Sequence, residues 1–538
     1  MGCLNRTKDE KKADNVEVEA EQQEGVTEHE IEQPIRENKI SKRISMTSSI
    51  RLTFSSLLLN VSVVIAMALM VTRQTQVSQS LHPAVTIFLF WFVLVWMAAM
   101  EGSQTSLVGL VPIKKSRYGD SHPFAYVSTA YIHKDGNVER FIVGRQFLVV
   151  LAVFVTNLLG GSIENATVFG MPEFLNAIFV NSGVALMLIT VMFGQLMAQV
   201  NAAQSMLDTI NNWFVLYFVT YAAMGIERSG LLHATYLVQA IHAKISGKKA
   251  SPEGPVKRTL MQTISFRSRV AFSCALLGFS FATVLAALLT GKTTMWQGVP
   301  SYVSVVLFFL LMIFAGMLEG MQIAILAVSK LPKEALSNHD IAKKNCDLVL
   351  KGDNMQGFLI GRQILVTASM FIVARITGMA VKIGEGQNIF HVSDGVQETL
   401  FNSNILAAIV TTIASSLVWR VIASSSPIPF LSNRAVYYII RLCLIVEASG
   451  LCAAAPLLAR VQSGVFRFKT DEEYIGNEEH HEHDLALQHL ETGDSLETGD
   501  SIDTDMDNTN KCDPAQRPKT IANNDHNDDV DQYSVESI

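Results

Sequence analysis

Two short patterns of polar residues recur within long apolar stretches of this 538-residue sequence. One is Glu-Gly-x-Gln, at 101–104 and again at 319–322, and the other is Gly-Arg-Gln, at 144–146 and again at 361–363. A carboxylate accepts hydrogen bonds, a guanidinium donates them in a planar fork, and an amide does both. Such a set suits a small hydroxyl-rich solute or an oxyanion better than a bare metal cation, for which one carboxylate per cluster is thin coordination. The predicted substrate contacts are Glu101, Gln104, Arg145, Gln146, Glu319, Gln322, Arg362 and Gln363.

The bilayer makes these charges costly. A charged side chain at its centre costs about 2.5–3.5 kcal/mol on insertion scales, so each one is expected to have an ion-pair partner or a functional role. One interpretation is that Glu101 and Arg145 only neutralise each other, as do their counterparts in the second copy. Recurrence of both pairs together with glutamines favours a binding role. The two sets are expected toward opposite faces of the membrane, as paired binding sites or gates.

The stretch that carries the first pattern is unusually long. Apolar residues run from 83 to 111, which would extend about 43 Å in an α-helix and exceed the hydrocarbon core. Either the helix tilts strongly or it breaks at Glu101-Gly102. We expect the break, with the freed backbone groups facing a water-filled cavity.

A second pair of carboxylates lies near small and hydroxyl-bearing residues, in Glu-Arg-Ser-Gly at 227–230 and Glu-Ala-Ser-Gly at 447–450. Intramembrane carboxylates in such surroundings can hold Na⁺ or a proton. The candidate ion-coupling residues are therefore Glu227, Ser229, Glu447 and Ser449. The alternative is a structural ion pair for each carboxylate, with Arg228 and Arg441 as the nearby arginines.

The elements that position these groups are predicted to be membrane helices. Apolar residues make up 49% of the chain, and about 55% with glycine, above the share usual for soluble domains. Residues 1–50 lack the apolar core of a signal peptide, so the first span is expected to start insertion. Ten stretches are long enough to span a bilayer: 53–72, 83–111, 141–159, 174–200, 213–241, 270–289, 300–328, 357–381, 399–423 and 435–459.

An internal repeat organises the spans, because four motifs recur at offsets of 217–220 residues. Each copy holds five spans, and since five is odd the second copy enters the membrane in the opposite orientation. The predicted fold is an all-α polytopic membrane protein with ten transmembrane helices in two five-helix inverted repeats. Its parts are an N-terminal cytoplasmic tail (1–52), repeat 1 (53–245), a basic loop (246–269), repeat 2 (270–465) and an acidic tail (466–538).

The distribution of basic residues among the loops agrees with this predicted topology only in part. Basic residues before the first span place the N-terminus in the cytoplasm, but the basic segment 242–269 then falls outside, against the positive-inside rule. Asn165 begins a glycosylation sequon in a loop expected outside. The net charge of −7 comes from the C-terminal tail, where 471–538 holds 20 acidic and 3 basic residues. Both tails are predicted to be disordered.

The sequence argues against several kinds of site. Six scattered cysteines form neither a disulfide framework nor a CxxC metal site. His480, His481 and His483 are interpreted as part of a solvated acidic stretch rather than as metal ligands. HExxH, Walker A and GxSxG motifs are missing. We therefore expect no enzyme activity, no catalytic residues, no resident metal or cofactor, and no nucleic-acid partner.

The ordered quartet of motifs resembles the silicon transporters of diatoms and related silicifying protists, over about residues 50–465. The resemblance implies uptake of orthosilicic acid, a neutral tetrahedral tetrahydroxide, with Na⁺ as the coupling ion and the motif residues contacting substrate. The expected location is the plasma membrane or an internal silica-related membrane. Diatom members often carry a C-terminal coiled coil, whereas 470–538 lacks heptads, which puts tail-mediated association in doubt and leaves a homo-oligomer open.

An alternative function is a passive channel or an exchanger for borate, another small hydroxylated solute or an oxyanion. Arg145 and Arg362 favour it, while the duplicated carboxylates oppose it.

Overall fold

The computed structural model describes residues 49–475, apart from 135, 164, 246–258, 295–297, 330, 332–335, 353, 380, 382–383, 385 and 387. The regular elements of this part of the chain are all helices, which confirms the predicted all-α class. The predicted tails at 1–48 and from 476 onward, with the three histidines above, lie outside the described residues. Residues 470–475 belong to a separate unit and contain the short helix Glu472–Ile475.

The first repeat forms helices α1 to α9 over the described residues. Helices α5, α6 and α8 each include a π-helical segment. Their bounds are α1 Ser49–Val71, α2 Pro83–Gly109, α3 Pro123–Ile132, α4 Asn137–Gly160, α5 173–181, α6 Val184–Ala202, α7 Met206–Ile210, α8 213–229 and α9 Ala234–Ile245.

The second repeat has the same order of helices, α10 to α18, over the residues that the structure describes. Here α14 and α15 contain the π-helical segments. The bounds are α10 Leu260–Leu289, α11 Ser301–Ser329, α12 Asp340–Val349, α13 Asn354–Thr377, α14 394–401, α15 405–425, α16 Pro427–Leu431, α17 Arg434–Ala448 and α18 Ala455–Phe466.

Eight helical segments of the described chain are long and apolar enough to cross a membrane. They are α1, α2, α4, α6, α10, α11, α13 and the segment Asp394–Ser425 formed by α14 and α15. The predicted fifth and tenth spans are instead interrupted. Gly230 and Gly450 adopt φ of 87° and 74°, a left-handed conformation that ends a helix, and each divides its span into two shorter helices.

Several predicted boundaries and one predicted break differ from the structure. Helix α1 begins at Ser49 rather than 53, and α10 at Leu260 rather than 270. The cause at α10 is a capping box, in which Thr259 and Gln262 satisfy each other's backbone N–H groups. Helix α2 passes through Glu101-Gly102 without a break. Its glycine instead allows close packing, since a Cβ at Gly102 would lie 2.9 Å from a side-chain carbon of Thr209.

Glycines at equivalent positions bring two further helix pairs together. A Cβ added to Gly144 in α4 would overlap the backbone carbonyl of Ala223 in α8. A Cβ added to Gly361 in α13 would overlap the carbonyl of Cys443 in α17 in the same way. The glycine of each Gly-Arg-Gln motif thus sets how closely its helix approaches a neighbour, and that approach places the following arginine and glutamine.

The first helix of each repeat contacts the interrupted span of the other repeat. The hydroxyl of Ser55 in α1 donates to the carbonyl of Leu451 (2.8 Å) and accepts from the N–H of Ala454 (3.0 Å). Ser273 in α10 makes the same two bonds with Leu231 (2.7 Å) and Ala234 (2.9 Å). These hydroxyls satisfy backbone groups that the helix break leaves without intrahelical partners.

Candidate functional site

A cavity of about 40 Å³ lies between the two repeats of the folded core. Its wall contains all eight of the predicted substrate contacts. The expectation of two separate clusters toward opposite faces is therefore not met, because both sets line one cavity. The remaining lining residues are Val149, Gln195, Gln199, Val366, Met370 and Arg420.

The first-repeat side of the cavity is closed by direct hydrogen bonds. Glu101 and Gln104 lie one turn apart on one face of α2, and both accept bonds from Arg145 in α4. The distance from Arg145 Nη2 to Glu101 Oε2 is 2.9 Å. Gln199 in α6 donates to the same carboxylate oxygen at 3.0 Å. The buried Glu101 charge is thus neutralised by one arginine and further solvated by an amide.

The second-repeat side has the same residues with longer contacts. Arg362 Nη1 lies 3.5 Å from Glu319 Oε2, and Arg420 Nε lies 4.0 Å from the same atom. Arg362 donates through Nη2 to Gln363 at 2.6 Å. Within the described residues, Gln322 makes no hydrogen bond. This side therefore retains hydrogen-bonding groups that a ligand can use.

The motif glutamines connect the repeats. Gln363 in α13 donates to Gln195 in α6 at 3.0 Å, and Thr367 donates to the same amide oxygen at 2.5 Å. On the other side, Arg420 in α15 donates to Gln146 in α4 at 3.0 Å. Movement of one repeat relative to the other would have to change these bonds, which therefore couple the cavity to the arrangement of the repeats.

Sequence reasoning missed Gln195, Gln199 and Arg420. A signal was present, because Gln195 and Gln199 are four residues apart in an apolar stretch and so share one helical face. Arg420 was harder to find, since its counterpart in the first repeat is a glutamine. The helices that follow in the two repeats are capped by Asn212 and Asn433, which are 221 residues apart. The same offset aligns Arg420 with Gln199.

Comparison with protein-family models matches residues 43–533 to the silicon transporter family. The chain belongs to the silicon transporter family. The match reaches further than the resemblance seen in the sequence, because it takes in much of the acidic tail that the motifs leave out. No curated protein and no solved structure matches this silicon transporter. Family membership and the eight apolar helices together make the chain a multi-pass membrane protein.

The predicted ion-coupling residues of this silicon transporter lie outside the cavity wall. Glu227 accepts bonds from Arg140 at 2.7 and 3.0 Å and from Tyr236 at 3.2 Å. Glu447 accepts from Arg51 at 2.7 Å. The structural ion pairs weighed above therefore exist, but with different arginines. Arg228 and Arg441 instead lie over the rings of Tyr131 and Tyr437.

The two predicted serines make local contacts. The hydroxyls of Ser229 and Ser449 donate to the carbonyls of Ile226 and Val446, three residues earlier in each helix. Asn165, the predicted glycosylation site, is exposed in the loop after α4. Over the described residues, no cluster of three or more His, Cys, Asp or Glu side chains is arranged to hold a metal ion.

Proposed function

We propose that this chain is a sodium-coupled secondary active transporter that takes up orthosilicic acid by alternating access, at the plasma membrane or an internal silica-related membrane. The observation that carries the proposal is the convergence of eight motif residues, four from each repeat, on one buried cavity. Family membership supports silicic acid as the substrate.

The chemistry of the cavity matches this substrate. Each hydroxyl of orthosilicic acid donates one hydrogen bond and accepts others, and the four hydroxyls point to the corners of a tetrahedron. Glu319 accepts, Arg362 donates, and Gln322 does both. A tetrahedral ligand is therefore well served by groups that converge from two sides, as these do from α11 and α13.

Alternating access is supported by the difference between the two sides. In an inverted repeat, equivalent groups exchange roles when the protein reverses its orientation of access. Glu101 and Arg145 are hydrogen-bonded at 2.9 Å, whereas Glu319 and Arg362 stand 3.5 Å apart without a hydrogen bond. We interpret the first pair as a closed gate and the second as an open one, which exchange during transport.

Sodium coupling rests on the family resemblance. Glu227 and Glu447 each precede a left-handed glycine that ends a helix, a setting in which free carbonyls and a carboxylate can coordinate Na⁺. Both carboxylates are bonded to arginines, so Na⁺ binding at either would require displacement of Arg140 or Arg51. Opening of one such pair is the step by which the ion would be linked to conformational change.

Uptake into proteoliposomes tests the proposal. Silicic or germanic acid should accumulate when an inward Na⁺ gradient is imposed and should stop accumulating when choline replaces Na⁺. Uptake that continues unchanged without the gradient would refute the coupling. A total lack of uptake with correctly inserted protein would refute the substrate.

The second candidate, a passive channel or exchanger for borate or another oxyanion, is favoured by one observation. Arg420 adds a third guanidinium to a cavity with two carboxylates. The two functions differ in their electrical behaviour, because an anion channel would carry current in the absence of Na⁺. Voltage-clamp recording of reconstituted protein with borate as the only permeant anion separates them.

A further inference from the structure

The cavity carries an uncompensated positive charge. Arg145, Arg362 and Arg420 face Glu101 and Glu319, and these five are the charged residues of the cavity wall. Arginine stays protonated under all physiological conditions. A buried charge without a partner is strongly unfavourable, so the occupied and closed cavity requires one further negative charge.

The excess charge belongs to the second-repeat side. Glu101 pairs with Arg145 alone, whereas Glu319 stands between Arg362 and Arg420 at 3.5 and 4.0 Å without a hydrogen bond to either. Nε and Nη1 of Arg362 are buried and have no hydrogen-bond acceptor in the described part of the chain. Arg362 itself is 5% exposed. Buried guanidinium donors without acceptors are the features of a site for an oxyanion.

The asymmetry arises from one residue. Gln199 in the first repeat donates to Glu101 and adds no charge. Arg420, its counterpart in the second repeat, approaches Glu319 and adds a charge. With glutamine at both positions, the cavity would hold two carboxylates and two guanidinium groups and would be neutral.

We propose that orthosilicic acid loses one proton when it binds and occupies the cavity as its monoanion, with the silanolate oxygen toward Arg362 and Arg420. This inference rests on the proposed function. One Si–OH group gives its proton to bulk water, its O–H bond breaks, and the electron pair stays on oxygen as Si–O⁻. A nearby positive charge favours the ionised form of an acid, and two guanidinium groups here share one carboxylate. The neutral acid is thus the species in solution, and the monoanion is the species bound.

Proton release on binding tests this directly. Monomeric orthosilicic acid is titrated calorimetrically at pH 7 into the purified full-length protein in detergent, in buffers of different protonation enthalpy. The dependence of the observed heat on that enthalpy measures the protons released. Wild-type protein should release one proton for each silicic acid bound.

Three variants separate the charge of Arg420 from its shape. Arg420→Gln copies Gln199 and makes the cavity neutral, so it should bind silicic acid with no proton release. Gln199→Glu neutralises the cavity without changing Arg420 and should have the same effect. Arg420→Lys keeps the charge and should still release one proton. If Arg420→Gln does not fold, Gln199→Glu and Arg420→Lys still decide the matter.

The outcomes distinguish this inference from the proposed function. Wild-type protein that binds silicic acid without releasing a proton overturns the inference and leaves the proposed function intact. Binding that releases no proton and is lost when gluconate replaces chloride assigns the missing charge to chloride, and also overturns it. Folded wild-type protein that binds no silicic acid at all overturns both.

Discussion

Arg420 Nη1 donates a hydrogen bond to Gln146 Oε1 at 3.0 Å and so joins the second repeat to the first inside the cavity. The same guanidinium approaches Glu319 through Nε at 4.0 Å. Arg420 therefore links a motif glutamine of one repeat to a motif glutamate of the other. Any ligand that draws Arg420 toward itself changes the contact between the repeats, which is how occupancy of the cavity can be communicated to the rest of the protein.

Removal of the Gln322 amide should weaken transport without weakening the fold. Gln322 lines the cavity and makes no hydrogen bond within the described residues, so Gln322→Ala removes ligand contacts alone. One or two hydrogen bonds correspond to a rise in KM of about 5- to 30-fold, measured as uptake into proteoliposomes. The thermal midpoint of unfolding should stay unchanged.

Gln104→Ala provides the comparison, because Gln104 is bonded to Arg145. We expect it to impair uptake and also to lower the thermal midpoint, while insertion into the membrane is preserved. Unaltered transport in both alanine variants would contradict a binding role for the glutamines.

Loss of the Glu101 charge should destabilise the protein strongly. Glu101→Gln leaves Arg145 buried without its carboxylate, an effect of about 3–5 kcal/mol on the free energy of unfolding. The double variant Glu101→Gln, Arg145→Gln should recover part of that loss, as chemical denaturation in detergent can measure. Glu319→Gln should also destabilise the protein, because it leaves the guanidinium groups of Arg362 and Arg420 without the carboxylate they share. A free energy of unfolding unchanged in Glu101→Gln would contradict the buried ion pair between Glu101 and Arg145.

A methyl group at the motif glycine should disrupt the helix packing. Gly144→Ala and Gly361→Ala each place a Cβ into a backbone carbonyl of the neighbouring helix, and backbone cannot move aside as a side chain can. Overpacking of this kind costs about 1–3 kcal/mol or more. Gly225→Ala in α8 is the control, since a Cβ there meets no atom within 4 Å. A thermal midpoint lowered equally in all three variants would argue against the close approach.

The serine hydroxyls that connect the repeats should contribute to stability. Ser55→Ala leaves the carbonyl of Leu451 and the N–H of Ala454 without their partner, which costs about 1–3 kcal/mol for a buried unsatisfied group. Ser273→Ala should cost a similar amount. The matched control is Thr53→Ala, whose exposed hydroxyl contacts only the carbonyl of Ser49. Thermal unfolding of the three variants provides the measurement.

His133, between α3 and α4, should make stability depend on pH. Burial lowers its pKa below the ordinary value of 6.5, against an opposing hydrogen bond to the carbonyl of Leu107. The unfolded chain therefore binds the proton more readily, so this contribution is complete above pH 6.5 and decreases as the pH falls toward the lowered pKa. Each unit of pKa difference contributes about 1.4 kcal/mol.

His133→Gln keeps a donor for Leu107 and removes the titration. The thermal midpoint of the wild type should fall more steeply than that of His133→Gln between pH 6.5 and 5. Parallel curves would show that His133 does not titrate in this range.

The repeated motifs are visible in the sequence, and their eight polar residues are among the fourteen that line the cavity. Spacing shows that Glu101 and Gln104 share a helical face, and recurrence shows that the set is duplicated. It could not show that both sets meet in one cavity, because that depends on how α4 and α13 pack against each other. The predicted break in α2 was inferred from the length of the apolar stretch, but the helix is continuous, and Arg145 of α4 and Gln199 of α6 bind Glu101 within it.

The ion-pair partners of Glu227 and Glu447 could not be predicted from the sequence either. Proximity in sequence suggested Arg228 and Arg441, but successive residues of a helix point in different directions. The arginines that bind these carboxylates, Arg140 and Arg51, are 87 and 396 residues away. Only the tertiary fold brings them into contact.

The contact between the first helix of each repeat and the interrupted span of the other repeat has a consequence for the order in which the contacts form during synthesis. Helix α1 is made early, yet the backbone groups that Ser55 bonds are made some 396 residues later. During synthesis, α1 therefore lacks its hydrogen-bond partners until the chain has been made as far as Ala454. A chain truncated before residue 451 would therefore leave Ser55 of α1 without both of its partners in the second repeat.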